Sequence, residues 1–158
     1  MELMITVSIA TIVLGIAVPG MMQFVQNERL TTTTNMLLTD LMLARSEAVE
    51  RNLPTFVCAS SDQATCTSSS FALGWLVFVD ADGDGAPAQG EIVKIQQAIN
   101  DITFNNTIGD SIRFDRRGFS PTTIGNISIC DSRGNDYAKS LAISKTGRVS
   151  RGATPSCA

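Results

Sequence analysis

The chain has 158 residues, 44% of them apolar, a formal net charge of −3 and no histidine. That is enough for one core, it gives no general electrostatic attraction for nucleic acid or an anionic membrane, and it removes histidine-based activation of a nucleophile. No Ser/Lys or paired-carboxylate spacing stands out as catalytic, so the composition argues against an enzyme and against a small-molecule substrate.

From Leu3 to Met22 no charged residue occurs, and Ile, Val, Leu, Ala and Met dominate. About twenty such residues span a bilayer as a helix. The run is apolar on every face, whereas a surface helix of a core shows one stripe. It also lacks the basic start and small-residue cleavage site of a secretory signal, so residues 1–22 read as a retained transmembrane anchor. After Met22 the pattern turns amphipathic. Leu30, Thr34, Leu37, Leu41, Ala44 and Ala48 recur every three or four residues, with Glu28, Arg29, Asp40, Arg45, Glu47 and Glu50 assigned to other faces. One helix is expected over residues 1–51, kinked at Pro19 and stopped by Asn52 and Pro54. About fifty residues at 1.5 Å each make a rod of about 75 Å, far longer than a small domain, so half of it must lie outside one.

Beyond Pro54 the helical period disappears. Short β-type runs at Thr55–Ala59, Trp75–Val79, Ile92–Gln97, Ile102–Asn105, Ser111–Phe114, Ile127–Cys130 and Leu141–Ser144 alternate with loops at Ser60–Ser70, Ala81–Gly90 and Arg116–Gly125. Residues 52–158 therefore read as an antiparallel β domain, and the chain as α+β. Trp75 and the phenylalanines alternate with apolar neighbours, which favours core positions over base-stacking platforms. The four cysteines, Cys58, Cys66, Cys130 and Cys157, lack the short spacing of a zinc ribbon or redox motif and fit two disulfides in an oxidising compartment. Of three possible connectivities, Cys58 with Cys66 and Cys130 with Cys157 closes the most local loops.

Two charge patterns suggest ligands. Asp80-x-Asp82-x-Asp84-Gly85, with Glu91 eleven places after Asp80, satisfies the twelve-residue calcium-loop pattern. Its flanks read as strands, where an EF-hand needs helices, and Asp-Gly pairs are also ordinary hairpin-turn chemistry. Calcium is the one cofactor suggested. Basic residues concentrate late in the chain: residues 1–99 carry four Lys/Arg against ten Asp/Glu, and residues 100–158 carry eight against five. Nine of the twelve basic residues are arginine, which favours forked recognition of carboxylate or phosphate.

The opening Glu2-Leu3-Met4-Ile5, the apolar run and Pro19 resemble the start of type IV pilins and type II secretion pseudopilins. In that family a Gly-Phe-Thr-Leu-x-Glu segment enters the anchor, and prepilin peptidase cuts after the Gly. Here the Glu and the apolar residues after it are present, and a mis-assigned or trimmed start is expected in preference to a true loss. The resemblance implies that Glu2 pairs with the N-terminal amine of a neighbouring subunit and that Pro19 is the helix-kinking proline. A carboxylate at a bilayer edge is costly unless paired, which independently marks Glu2 as an interaction residue.

Further blocks are similar to the GspH/FimT family of minor pilins and pseudopilins. They are Leu43-Ala44-Arg45-Ser46-Glu47-Ala48-Val49, Val57-Cys58-Ala59-Ser60, Gly74-Trp75-Leu76-Val77-Phe78-Val79-Asp80, Ile112-Arg113-Phe114-Asp115-Arg116-Arg117-Gly118 and Ser144-Lys145-Thr146-Gly147-Arg148-Val149. The resemblance covers essentially the whole chain, with cysteines closer to the pilus-type FimT branch. It implies a type IV pilin-like fold, a long helix packed on two small antiparallel sheets. It also implies a bacterial inner-membrane protein, single-pass, with a periplasmic C-terminal domain that becomes extracellular in an assembled pilus. Its partners would be other major and minor pilins, or pseudopilins if the chain serves type II secretion instead. Some FimT-type pilins take up double-stranded DNA through a Gly-Arg-x-Arg motif. Here Gly147-Arg148-Val149-Ser150-Arg151 is one residue longer. A strand over Ser144–Val149 would turn Arg151 to the face opposite Arg148, whereas a loop over 150–155 would restore the motif. Lys145, Arg113, Arg116 and Arg117 would extend that phosphate-binding surface.

Overall fold

The computed structural model describes residues 2–67, 70–152 and 155–157; the side chains of residues 2, 14 and 16–19 lie outside the described set. The expected assembly roles of Glu2 and Pro19 fall on those side chains. One helix, α1 (Glu2–Arg51), precedes eight strands. These are β1 (Thr55–Ala59), β2 (Gly74–Val79), β3 (Ile92–Gln97), β4 (Thr103–Asn106), β5 (Ser111–Phe114), β6 (Gly125–Cys130), β7 (Lys139–Ile143) and β8 (Val149–Arg151). They form two four-stranded sheets in the orders β3-β2-β1-β5 and β4-β6-β7-β8. Every pairing is antiparallel.

The helix ends where the sequence changes chemistry. Asn52 takes a left-handed φ of 55°, a conformation asparagine tolerates better than most residues at a helix C-terminus, and Pro54 then prevents continuation. Within α1 the stripe Leu30, Leu37, Leu41, Ala44 and Ala48 is fully buried. It packs with Val57, Trp75 and Val77 of the first sheet and with Ile127, Ile129 and Leu141 of the second. Alanines at 44 and 48 let the helix approach the strands closely, and a larger side chain there would overpack the core by about 1–3 kcal/mol.

Asp40 departs from the sequence expectation. It is buried at 0% exposure, not on an outer face. Its carboxylate accepts the indole N–H of Trp75 at 2.9 Å and the Lys94 ammonium at 2.5 Å. A buried carboxylate is tolerable only with such partners, and these two come from β2 and β3, so the group locks α1 onto the first sheet.

Strand β2 is buried on both faces. Its outward residues Leu76 and Phe78 form a second small cluster with Cys58, and Phe56 and Ile92 pack against it. Phe56 and Phe78 stack with centroids 5.2 Å apart. Both disulfides pair as the most local connectivity has it, Cys58 with Cys66 and Cys130 with Cys157.

Ser144–Val149 is not a strand. Ser144 through Arg148 make the β7–β8 turn, with Gly147 at φ 71° and its N–H donating to the Ser144 carbonyl. The alternative of a loop over 150–155 does not hold at its start either, where Val149–Arg151 form β8. Serine, glycine and charged residues in one short run defeat the period-2 signal, and a three-residue strand shows too little of it.

Among the described residues no helix is long and apolar enough to cross a membrane. The side chains at 14 and 16–19, inside the run expected to be the anchor, are not among those residues.

Candidate assembly and nucleic-acid surfaces

Three loops meet at the end of the domain where α1 stops. The β1 register opposes Thr55 to Val79 and to Phe114, so the segments after β2 and β5 leave the first sheet at that end. The β7–β8 turn joins them through a hydrogen bond from the Ser120 N–H to the Lys145 carbonyl at 3.0 Å. Arg45 of α1 fastens both loops, its Nε donating to the Gly118 carbonyl at 3.0 Å and its Nη2 to that of Thr146 at 3.2 Å. The contact is tight enough that a Cβ on Gly147 would lie 1.9 Å from the Gly118 oxygen. Sequence reading assigned Arg45 to an outer face; its clue is the Gly118/Gly147 pair, which leaves room for a guanidinium.

Asp115 shapes the 115–119 loop by accepting the N–H groups of Arg117 and Phe119, each at 2.9 Å. Burial works against its ionised form, yet those N–H groups and the guanidinium charges of Arg117 and Arg113 outweigh it and hold the carboxyl below the usual range. Arg116, Arg117, Lys145 and Arg148 are all exposed on the two fastened loops. Arg117 lies 3.7 Å from Asp115, whereas among the described residues Arg116, Lys145 and Arg148 are in no ion pair. Arg113 points outward from β5, over the Phe56 ring at 5.8 Å. The structure thus brings together five of the six basic residues singled out in the sequence. The sixth, Arg151, is separate: it reaches the α1 side, with Nη2 3.4 Å from Asn35 Oδ1.

The acidic loop follows β2 at the same end. Asp80, Asp82 and Asp84 each offer an oxygen within 4.8 Å of one another. Asp80 Oδ1 accepts the N–H groups of Gly83 and Gly85, while Glu91 accepts those of Ala81 and Ala88. The loop therefore closes on its own backbone, and its flanks are β2 and β3, not helices.

The first half of α1 presents apolar side chains to the outside: Leu3 is 81% exposed, Met4 80%, Ile12 65% and Phe24 60%. Among the described residues this is far beyond the scattered exposed apolar side chains of an ordinary monomer, and a surface of that kind marks a place of contact with other molecules.

A search of curated proteins finds no match. Among solved structures, the minor pilin FimU of Pseudomonas aeruginosa superimposes with a TM-score of 0.64 at 23% identity, covering 83% of this chain and 93% of that one. The minor pseudopilin EpsH of the Vibrio cholerae type 2 secretion system gives 0.58 at 11% identity, covering 79% and 97%. These likenesses establish the pilin-like fold. The family model for type II transport protein GspH matches residues 33–147, which run from the buried half of α1 through both sheets to the Arg45-fastened turn. A subunit with an outward-facing apolar half-helix is what that family assembles with other pilins or pseudopilins, and this chain belongs to the GspH family.

Proposed function

We propose that the chain is a minor pilin of a type IV pilus, incorporated into the filament or its priming complex at the tip. Residues 1–22 anchor it in the inner membrane before assembly, with residues 52–158 in the periplasm. The observation that carries this is the split character of α1, with one half spent on the domain's own core and the other apolar and unpartnered. In a membrane that half packs with neighbouring helices, where Glu2 pairs with a neighbour's amine. Deleting the gene and counting surface pili beside secreted type II cargo tests it. Loss of pili with secretion intact is expected. Loss of secretion with pili intact would favour the second reading, a minor pseudopilin, which draws on the match to the type II transport protein GspH family and on the shared fold with EpsH.

The basic end suggests a specialisation. Arg116, Lys145 and Arg148, held on two fastened loops with no carboxylate pairing among the described residues, suit the phosphates of double-stranded DNA. Binding by the full chain in detergent should weaken with salt, and Arg116→Ala with Arg148→Ala should flatten the log–log slope by about two. Because Arg151 faces elsewhere, Arg151→Ala should leave the slope unchanged.

A further inference from the structure

Arg151 lines a different feature, a cleft of about 280 Å³ between α1 and the second sheet. Its walls are Thr31 and Thr34 of α1, Lys139 and Ser140 at the start of β7, and Arg151 with Gly152 at the end of β8. No carboxylate is among the described lining residues, and neither Lys139 nor Arg151 is in an ion pair among the described residues. Among the described residues the Arg151 guanidinium makes only the 3.4 Å contact to Asn35. Two cations thus line a concavity edged with hydroxyls, with no carboxylate to answer them there, whereas Asp40 is answered by Lys94 and Asp131 by Arg133.

The cleft is built in advance. Gly152 donates its N–H to the Ser140 carbonyl at 2.7 Å, and a Cβ on it would lie 2.7 Å from Ser140 Oγ and 3.2 Å from the Ala142 nitrogen, so glycine keeps this wall open. The tail beyond is held by Ser156 N–H on Ser128 Oγ at 3.0 Å, by Cys157 N–H on Asn135 Oδ1 at 2.6 Å, and by the disulfide to Cys130. On the other wall, Thr34 is buried with its hydroxyl turned to the Leu30 carbonyl. Little ordering cost remains for a ligand to meet.

We infer that this cleft is a receptor for a single small oxyanion group, a carboxylate or a phosphate, gripped by the Arg151 guanidinium and the Lys139 ammonium. A guanidinium fork suits either group, and the lysine adds a second charge without fixing geometry. The site is separate from the distal basic loops, and its volume admits one such group, not a duplex.

The test uses the full chain, isotope-labelled in detergent micelles, titrated with inorganic phosphate and in parallel with acetate at constant ionic strength. Saturable, concerted shifts of the Thr31, Ser140 and Gly152 amides are expected, with affinity falling about tenfold or more in Lys139→Gln with Arg151→Gln, corresponding to about 1.4 kcal/mol. Both side chains are exposed, so the variant should keep the unliganded spectrum. Arg148→Gln should titrate like the parent chain. A response to phosphate alone identifies a phosphate ester as the ligand class, and an equal response to acetate extends it to carboxylates. Absence of those shifts with both anions, or their survival in the double variant, overturns the inference.

Discussion

The two halves of α1 are made of similar residues and meet opposite fates. Between residues 30 and 48 a stripe of Leu30, Leu37, Leu41, Ala44 and Ala48 vanishes into two sheets, whereas between residues 3 and 25 the large apolar side chains among the described residues stay exposed. The difference shows that helix formation here is indifferent to what the side chains touch, while the pattern decides where their energy is used. The buried half stabilises the monomer; the exposed half is available only to an assembly.

The comparison breaks first where the halves are truncated alike. Leu41→Ala should cost about 2–5 kcal/mol in chemical denaturation, because it empties a filled core. Ile9→Ala should stay within about 0.5 kcal/mol and instead reduce incorporation into filaments. Equal stability losses would mean that the first half also supports the domain. Next comes the join at the helix's far end: Gly147→Ala puts a side chain at a left-handed φ against Gly118, and should cost at least about 1–3 kcal/mol while releasing the basic loops. Asp40→Ala should cost about 1–3 kcal/mol by leaving the Trp75 indole N–H unpaired, and since Trp75 is the sole tryptophan its fluorescence reports the loss directly.

The smallest effect is in acid. Asp62 is held below the usual carboxylate range chiefly by the Thr65 hydroxyl, with the N–H groups of Thr65 and Ala64 adding to it. For Asp131 burial opposes ionisation, but Arg133 outweighs it. Folded values below the unfolded ones contribute stability that is complete above about pH 4 and is lost as pH falls through the lowered values. Thermal melts should therefore be flat from neutrality to about pH 5 and fall below that, and Asp131→Asn should blunt the fall.

Much of this was legible in the sequence. The end of α1, seven of the eight strands and the disulfide framework follow from period, proline and cysteine spacing. Asp40 was missed because its charge was allowed to outvote its position. It lies three residues after Leu37 and four before Ala44, squarely in the buried stripe, and only a tertiary partner such as Trp75 makes a carboxylate acceptable there. β8 was missed because three residues carry almost no alternation. The sequence grouped Arg151 with Arg148, Lys145, Arg113, Arg116 and Arg117, and its departure from them follows from where the β7–β8 turn ends. The cleft beside Lys139 depends on packing between α1 and the chain's tail, about which local spacing says nothing.

Arg45 binds α1 to two loops at one end, and the buried stripe extends from Leu30 to Ala48, about 27 Å of helix. A load drawn along the helix axis would have to slide that whole length past both sheets at once, not peel it away contact by contact. Shear of this kind distributes force over every packed residue. The same architecture that seats a helix in its domain therefore makes the subunit a coupling able to carry tension.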